Sequence, residues 1–202
     1  STQVPCYNHA VKMTRLKTRW LAIIDTDEFL VPLEHDNMKD FLKKYERQGA
    51  VFLNWVCYGT SNIWDIPSDK LMIETLVWRS HMDDECNKQG KTIMQPRHVT
   101  EVVMPHYCVC QIKFPLTHTD GSNYNYAKTS CFSGAVINHY HTRTLTFFWN
   151  EKIPRKLRMD NMPVTPARLN AMLNVGNKVL DQNGPIQKYV PRLRKKVLSH
   201  KN

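Results

Sequence analysis

The chain has 202 residues, about one domain's worth, and is 42% hydrophobic and 23% charged, with 7 Gly and 11 Pro. That composition describes a globular protein and excludes disordered, collagen-like and repeat chains. Formal charge is +10, and all of the excess lies in residues 101–202, where 15 Lys/Arg meet 5 Asp/Glu. Residues 6–18 predict a helix, because Ala10, Met13 and Leu16 recur near the helical period. Trp20-Leu21-Ala22-Ile23-Ile24 is a continuous apolar run of the kind buried on both faces of a parallel sheet. Met38, Phe41, Leu42 and Tyr45 make residues 37–48 an amphipathic helix that Gly49 stops. A strand over 50–56 and a loop over 58–70 follow, and 71–79 reads as either strand or helix. Strands are expected over 92–94, 99–104, 107–114 and 132–141, with a polar loop over 115–130. Thr165 and Pro166 open a helix running to about residue 180, and a final basic helix starts near Pro185. Helix and strand alternating at the front predict an α/β layer fold.

Function classes narrow further. The uncharged run at 51–64 is too short to span a bilayer and carries Asn54, Gly59, Thr60 and Asn62, so no membrane span is expected in this chain. The basic surplus draws polyanions such as nucleic acid, acidic lipid or a phosphorylated small molecule. No nucleic-acid motif accompanies it, and Arg192-Leu193-Arg194-Lys195-Lys196 reads equally as a solvated helix face. The six cysteines form no C-x-x-C pair. His106, Cys108 and Cys110 alternate, so on a strand they share a face; they read as a zinc site or as packed thiols. A P-loop is excluded because Glu85 stands where Gly90-Lys91-Thr92 would need glycine.

Asp25-Thr26-Asp27-Glu28 is the most informative stretch: three acids directly after an apolar strand. On a continuing strand Asp25 and Asp27 would lie together, beyond the carboxyl end where α/β sheets bind ligands. Adjacent carboxylates repel unless a cation or proton sits between them. Oxygen-only donors favour Mg²⁺ or Mn²⁺, ions that bridge carboxylates to substrate phosphates. An EF-hand fails, since Leu30 and Asp36 replace its glycine and glutamate.

The string Trp20-Leu21-Ala22-Ile23-Ile24-Asp25-Thr26-Asp27-Glu28-Phe29-Leu30 resembles the W-x-x-x-x-D-x-D-E-F-L signature of glycosyltransferase family 92 and related family-2-like enzymes of GT-A type. Gly59-Thr60-Ser61 is similar to the group's G-[ST]-S turn, and Lys91-Thr92-Ile93 with Pro96 to its K-S-I-x-x-P. Asn138-His139-Tyr140-His141-Thr142-Arg143-Thr144 is similar to its N-H-Y-x-x-K-S, with Arg143 in place of the usual lysine. The resemblance implies a GT-A-like (Rossmann-like) mixed sheet flanked by helices, over residues 1–155, with 156–202 a helical extension. It implies a metal-dependent, inverting transfer of a sugar from a UDP- or GDP-sugar donor to a glycan or glycoconjugate hydroxyl, without nucleic acid. Mn²⁺ or Mg²⁺ would be held by Asp25, Asp27 and His139, and Lys91 and Arg143 would meet the diphosphate.

Inversion needs a general base, for which Glu74, Asp65 and Asp120 are the candidates, Glu74 first. Trp55, Tyr58 and Trp64 are candidates for stacking on sugar rings. In the resembled group the nucleotide-binding strands precede the D-x-D, whereas 24 residues precede Asp25 here. The expectation is therefore the catalytic and acceptor half of a longer enzyme, binding donor poorly by itself. A nucleic-acid-binding module, a metal-dependent hydrolase and an inactive transferase-like scaffold are the alternatives. The compartment stays open: Golgi lumen behind an upstream anchor for a eukaryotic source, cytoplasm for a bacterial or viral one.

Overall fold

The computed structural model describes residues 2–126, 130–160 and 165–197. Residues 127–129 of the expected polar loop, and 161–164 and 198–202 of the expected extension, lie outside them. The chain forms two compact units, one of residues 1–55 and 87–137, the other of residues 56–86 and 138–202. The segment expected as an extension thus shares its unit with residues 56–86.

In chain order, helix α1 (Gln3–Thr14) leads to strands β1 (Leu21–Ala22) and β2 (Glu28–Pro32), then to α2 (Met38–Leu42) and β3 (Ala50–Cys57). A short helix α3 (Met72–Thr75) and strand β4 (Trp78–Arg79) follow. Next come β5 (Gly90–Met94), β6 (Val99–Met104), β7 (Tyr107–Cys110), β8 (Leu116–His118) and β9 (Ala135–His139). The chain closes with α4 (Leu145–Phe147), α5 (Ile153–Asp160), α6 (Pro166–Asn174), β10 (Val179–Leu180) and α7 (Val190–Val197). No helix among the described residues is long and apolar enough to cross a membrane.

The main sheet runs β1-β5-β3-β9-β2, with β8 added to β3. It is mixed: β5 is antiparallel to both β1 and β3, and β8 is parallel to β3. Only Trp55 of β3 is not fully buried, which suits its largely apolar sequence to a central position, and the buried Asn54 amide is satisfied by the Asn87 carbonyl and the Cys131 N–H. Gly90 is required opposite it, because a Cβ there would run into the Leu53 carbonyl.

The other apolar run behaves differently. Trp20 to Ile24 was expected as a strand buried on both faces; only Leu21 and Ala22 are strand, at the sheet edge, half-buried and paired with β5 alone. One partner strand leaves the second side open, and Ile24 is 39% exposed. The helix expected over 37–48 keeps its register but tightens early. Asn37 accepts the Asp40 N–H as N-cap, α2 ends at Leu42, and a 3₁₀ turn carries Lys43 to Tyr45.

That register buries Phe41, Leu42 and Tyr45 against Val51, Leu53, Ile93, Ala135 and Ile137, the first core of this unit. A second core gathers Val11, Ala50, Met94, Val99, Val102 and Cys108. The ambiguous stretch 71–79 is both, α3 and then β4. The loop expected over 115–130 contains β8, and the helix expected to reach residue 180 stops at Asn174, before β10.

Phe41→Ala, which leaves a void in the first core, should cost about 3–5 kcal/mol; urea unfolding of the two proteins measures the difference.

Candidate active site and metal-binding residues

Residues 25–28 form a tight turn between β1 and β2. The Glu28 N–H donates to the Asp25 carbonyl at 3.1 Å, and the Glu28 carboxylate accepts the Asp25 N–H at 2.9 Å. The expected strand-like alternation of Asp25 and Asp27 is therefore corrected: β1 ends at Ala22, and a turn presents both acids. The Asp25 side chain is 47% exposed, while that of Glu28 is fully buried.

Lys91, in the middle of the buried strand β5, extends its ammonium to this turn. It donates to Asp25 Oδ2 at 3.0 Å and lies 3.9 Å from Glu28 Oε2. A buried ammonium is tolerated only when paired, and these acids pair it. Burial raises the Glu28 carboxyl to about 7, against the lowering effects of the Asp25 N–H and Lys91. Among the described residues its Oε1 is buried without a hydrogen-bond partner. Lys91, Asp25 and Glu28 are thus brought together, with Asp27 partly buried in the same turn.

Asp120 and Trp55 also lie in the first unit, Asp120 accepting the Ser122 N–H at 2.9 Å and hydroxyl at 2.6 Å, and Trp55 edge-on to His106 at 5.3 Å; the remaining expected residues lie in the second unit. The Gly59-Thr60-Ser61 turn holds Ser61 and Asn62 at φ 52° and 58°. Asn177 Oδ1 accepts the Ser61 N–H at 2.8 Å, and Ser61 Oγ accepts the Trp78 N–H at 3.0 Å. Gly59 donates its N–H to the Gly176 carbonyl at 2.9 Å, an approach that a Cβ on either residue would block. Tyr58, a candidate for sugar stacking, is instead buried, stacked on Tyr140 at 4.6 Å and donating to Asp181 Oδ2 at 2.5 Å. Trp64 is 62% exposed.

Arg143 has φ 51° and lays its guanidinium 4.5 Å from the Phe147 ring centroid. Asp65 is exposed and accepts the Thr146 hydroxyl at 3.0 Å. Glu74 is bound by both Arg194 nitrogens, at 2.7 and 2.8 Å, and caps α3 through the Leu71 N–H. Burial would raise its carboxyl, but these donors outweigh it and hold it below the usual range. The same pair engages Arg194, which belongs to the basic run 192–196.

His139, expected as a ligand of a hard ion, has other neighbours in its unit. One of its ring nitrogens, one of His141 and Cys57 Sγ lie within 4.8 Å of one another. Burial, then Lys152 and Lys156, push the His141 imidazole down to about 3, so it stays neutral. A hydrogen bond with Cys86, then burial, push the Cys57 thiol well above its ordinary value. At His106, Cys108 and Cys110 the expectation was either a zinc site or packed thiols. There the two Sγ atoms approach to 3.8 Å, but His106 Nδ1 meets the Gly90 carbonyl at 2.9 Å.

The family model for glycosyltransferase family 92 matches residues 2–174. The chain belongs to glycosyltransferase family 92. It is therefore a glycosyltransferase domain, and the four expected motifs around Asp25, Gly59, Lys91 and His139 all fall inside the matched residues. Comparison with curated proteins gave no match.

Glu28 gives the turn a pH signature. Its folded pKa lies above the unfolded value, so neutral Glu28 favours the fold at low pH, and that contribution is lost as pH rises from about 4.5 to 7. In chelator-containing buffer, wild-type stability should fall across that window by roughly 3 kcal/mol more than that of Glu28→Gln. Urea unfolding of both proteins at pH 5 and pH 8 measures it.

Proposed function

We propose that this family 92 domain carries out an inverting transfer of a sugar from a UDP- or GDP-sugar to a hydroxyl of a glycan or glycoconjugate acceptor, on a GT-A-like fold. The observation that carries this reading is the acidic turn after β1, with Asp25 on the Lys91 ammonium and Asp27 in the same turn. The donor set there is all oxygen, and the buried Glu28 Oε1 has no hydrogen-bond partner among the described residues. Such a turn fits a hard dication, Mn²⁺ or Mg²⁺, with Asp25 and Asp27 as its holders. Bound there, the ion supplies charge neutralisation for the departing nucleoside diphosphate.

The protein's own groups do the rest. Asp25 can pass from Lys91 to the donor, which frees the ammonium for a diphosphate oxygen; Arg143 is the second cation assigned to that anion. Because Arg143 is a planar fork, it favours bidentate contact over the point charge of a lysine. The acceptor hydroxyl loses its proton to a carboxylate as its oxygen bonds to the anomeric carbon and the bond to the diphosphate breaks. Asp65 suits the base role better than Glu74, because Asp65 is exposed with one hydroxyl on it, whereas Glu74 is clamped by Arg194.

Transfer is measured with the full-length protein, a panel of UDP- and GDP-sugars, and added Mn²⁺. Asp27→Ala should reduce it at least about 100-fold, the scale of losing one preorganised charge-stabilising group; undiminished transfer would remove the metal assignment. Asp65→Asn should lower kcat about 10²–10⁴-fold with folding intact. Glu74→Gln should lower the melting temperature more than it lowers kcat, and the reverse pattern would exchange the two roles.

A further inference from the structure

We propose that Cys57, His139 and His141 form a zinc site, with a fourth position open to water or an external ligand. The proposal is independent of the acidic turn and of the donor-sugar reading.

The scaffold brings the three ligands together from the ends of two strands. Cys57 is the last residue of β3 and His139 the last of β9, and the Tyr58 N–H donates to the His139 carbonyl at 2.9 Å beside them. His141 follows two residues on, its ring centroid 5.3 Å from that of His139. Tyr140 between them is fully buried and stacked on Tyr58, and Thr142 donates to the Tyr58 carbonyl at 3.3 Å. The backbone carrying both imidazoles therefore has little freedom. Among the described residues, His141 Nδ1 is buried with no hydrogen-bond partner, so a ring nitrogen is left for a metal.

Donor chemistry selects the ion. One thiolate and two imidazoles suit zinc, and they disfavour the oxygen-seeking Mg²⁺ and Mn²⁺. Tetrahedral zinc with bonds of about 2.0–2.3 Å sets its ligands about 3.3–3.6 Å apart. A group already gathered within 4.8 Å needs to close by an ångström or so, within reach of side-chain rotation. On binding, the Cys57 thiol proton passes to solvent as the zinc–sulfur bond forms. The Lys152 ammonium, which donates to the His141 carbonyl at 2.8 Å, opposes a nearby dication, and the thiolate offsets it.

The test uses the full chain, purified from zinc-supplemented medium without chelator. Elemental analysis should find zinc in stoichiometric amount. Exchange for Co²⁺ should give a thiolate-to-cobalt charge-transfer band together with tetrahedral d–d bands. Cys57→Ser should abolish the charge-transfer band, and His141→Gln should weaken zinc binding by more than about 100-fold, beyond the roughly 10–100-fold that losing an outer partner costs. Asp27→Ala should keep its zinc, which separates this site from the acidic turn. Wild-type protein with no bound zinc and no cobalt charge-transfer band would overturn the proposal without reference to any variant. So would an unchanged cobalt spectrum in Cys57→Ser, loss of zinc in Asp27→Ala, or a Cys57–Cys86 disulfide in place of metal.

Discussion

A lysine buried in the middle of a strand is the constraint from which the first unit is best understood. Every residue of β5 is buried, Lys91 among them, and its side chain is only 3% exposed. An ammonium in that position costs several kcal/mol unless its charge is matched. Glu28 and Asp25 match it, and the same contact fastens the β1–β2 turn to β5. The turn is further closed by the Glu28 carboxylate on the Asp25 N–H. Electrostatic necessity in the core thus shapes the acidic turn. The arrangement keeps Asp25 at the surface and Glu28 inside, two carboxylates three residues apart in different environments, and burial raises the Glu28 carboxyl to about 7.

The second unit rests on a different device, a buried polar cluster around Tyr58. Its hydroxyl donates to Asp181 and accepts from Asn138 at 3.2 Å, its carbonyl takes the Thr142 hydroxyl, and its ring stacks on Tyr140. Arg79 lies 3.5 Å from Asp181, so the acid is balanced as well. Buried networks of this kind are rigid when fully satisfied. Two motif segments that are distant in sequence, the Gly59 turn and the stretch from Asn138 to Arg143, are held by this one tyrosine. The histidines are fixed in place as a by-product.

The acidic motif was legible in the chain because it is short and contiguous: Asp25, Asp27 and Glu28 sit side by side after an apolar run. Lys91 was legible as a cation through the K-T-I string, but its burial and its partners were not, since they depend on a neighbouring strand 66 positions away. His139 was singled out by the N-H-Y string, yet nothing local pointed to Cys57 as its neighbour. The His-x-His spacing of His139 and His141 was a signal that periodicity alone could have raised. Glu74 drew attention as an acid after a turn, whereas its carboxylate is committed to Arg194, 120 positions later.

By itself, then, the sequence determined the family resemblance, the acidic string from Asp25 to Glu28, the amphipathic register of Phe41, Leu42 and Tyr45, and a strand over residues 50–56. These are set by residue types within a few positions of one another, where short-range sterics and periodicity decide. Tertiary structure decided that the Trp20 run is an edge, that the sheet is mixed, which acids carry a counter-cation, and which thiol meets the histidines. Each of those outcomes depends on long-range strand pairing, which brings together residues whose separation along the chain carries no local trace.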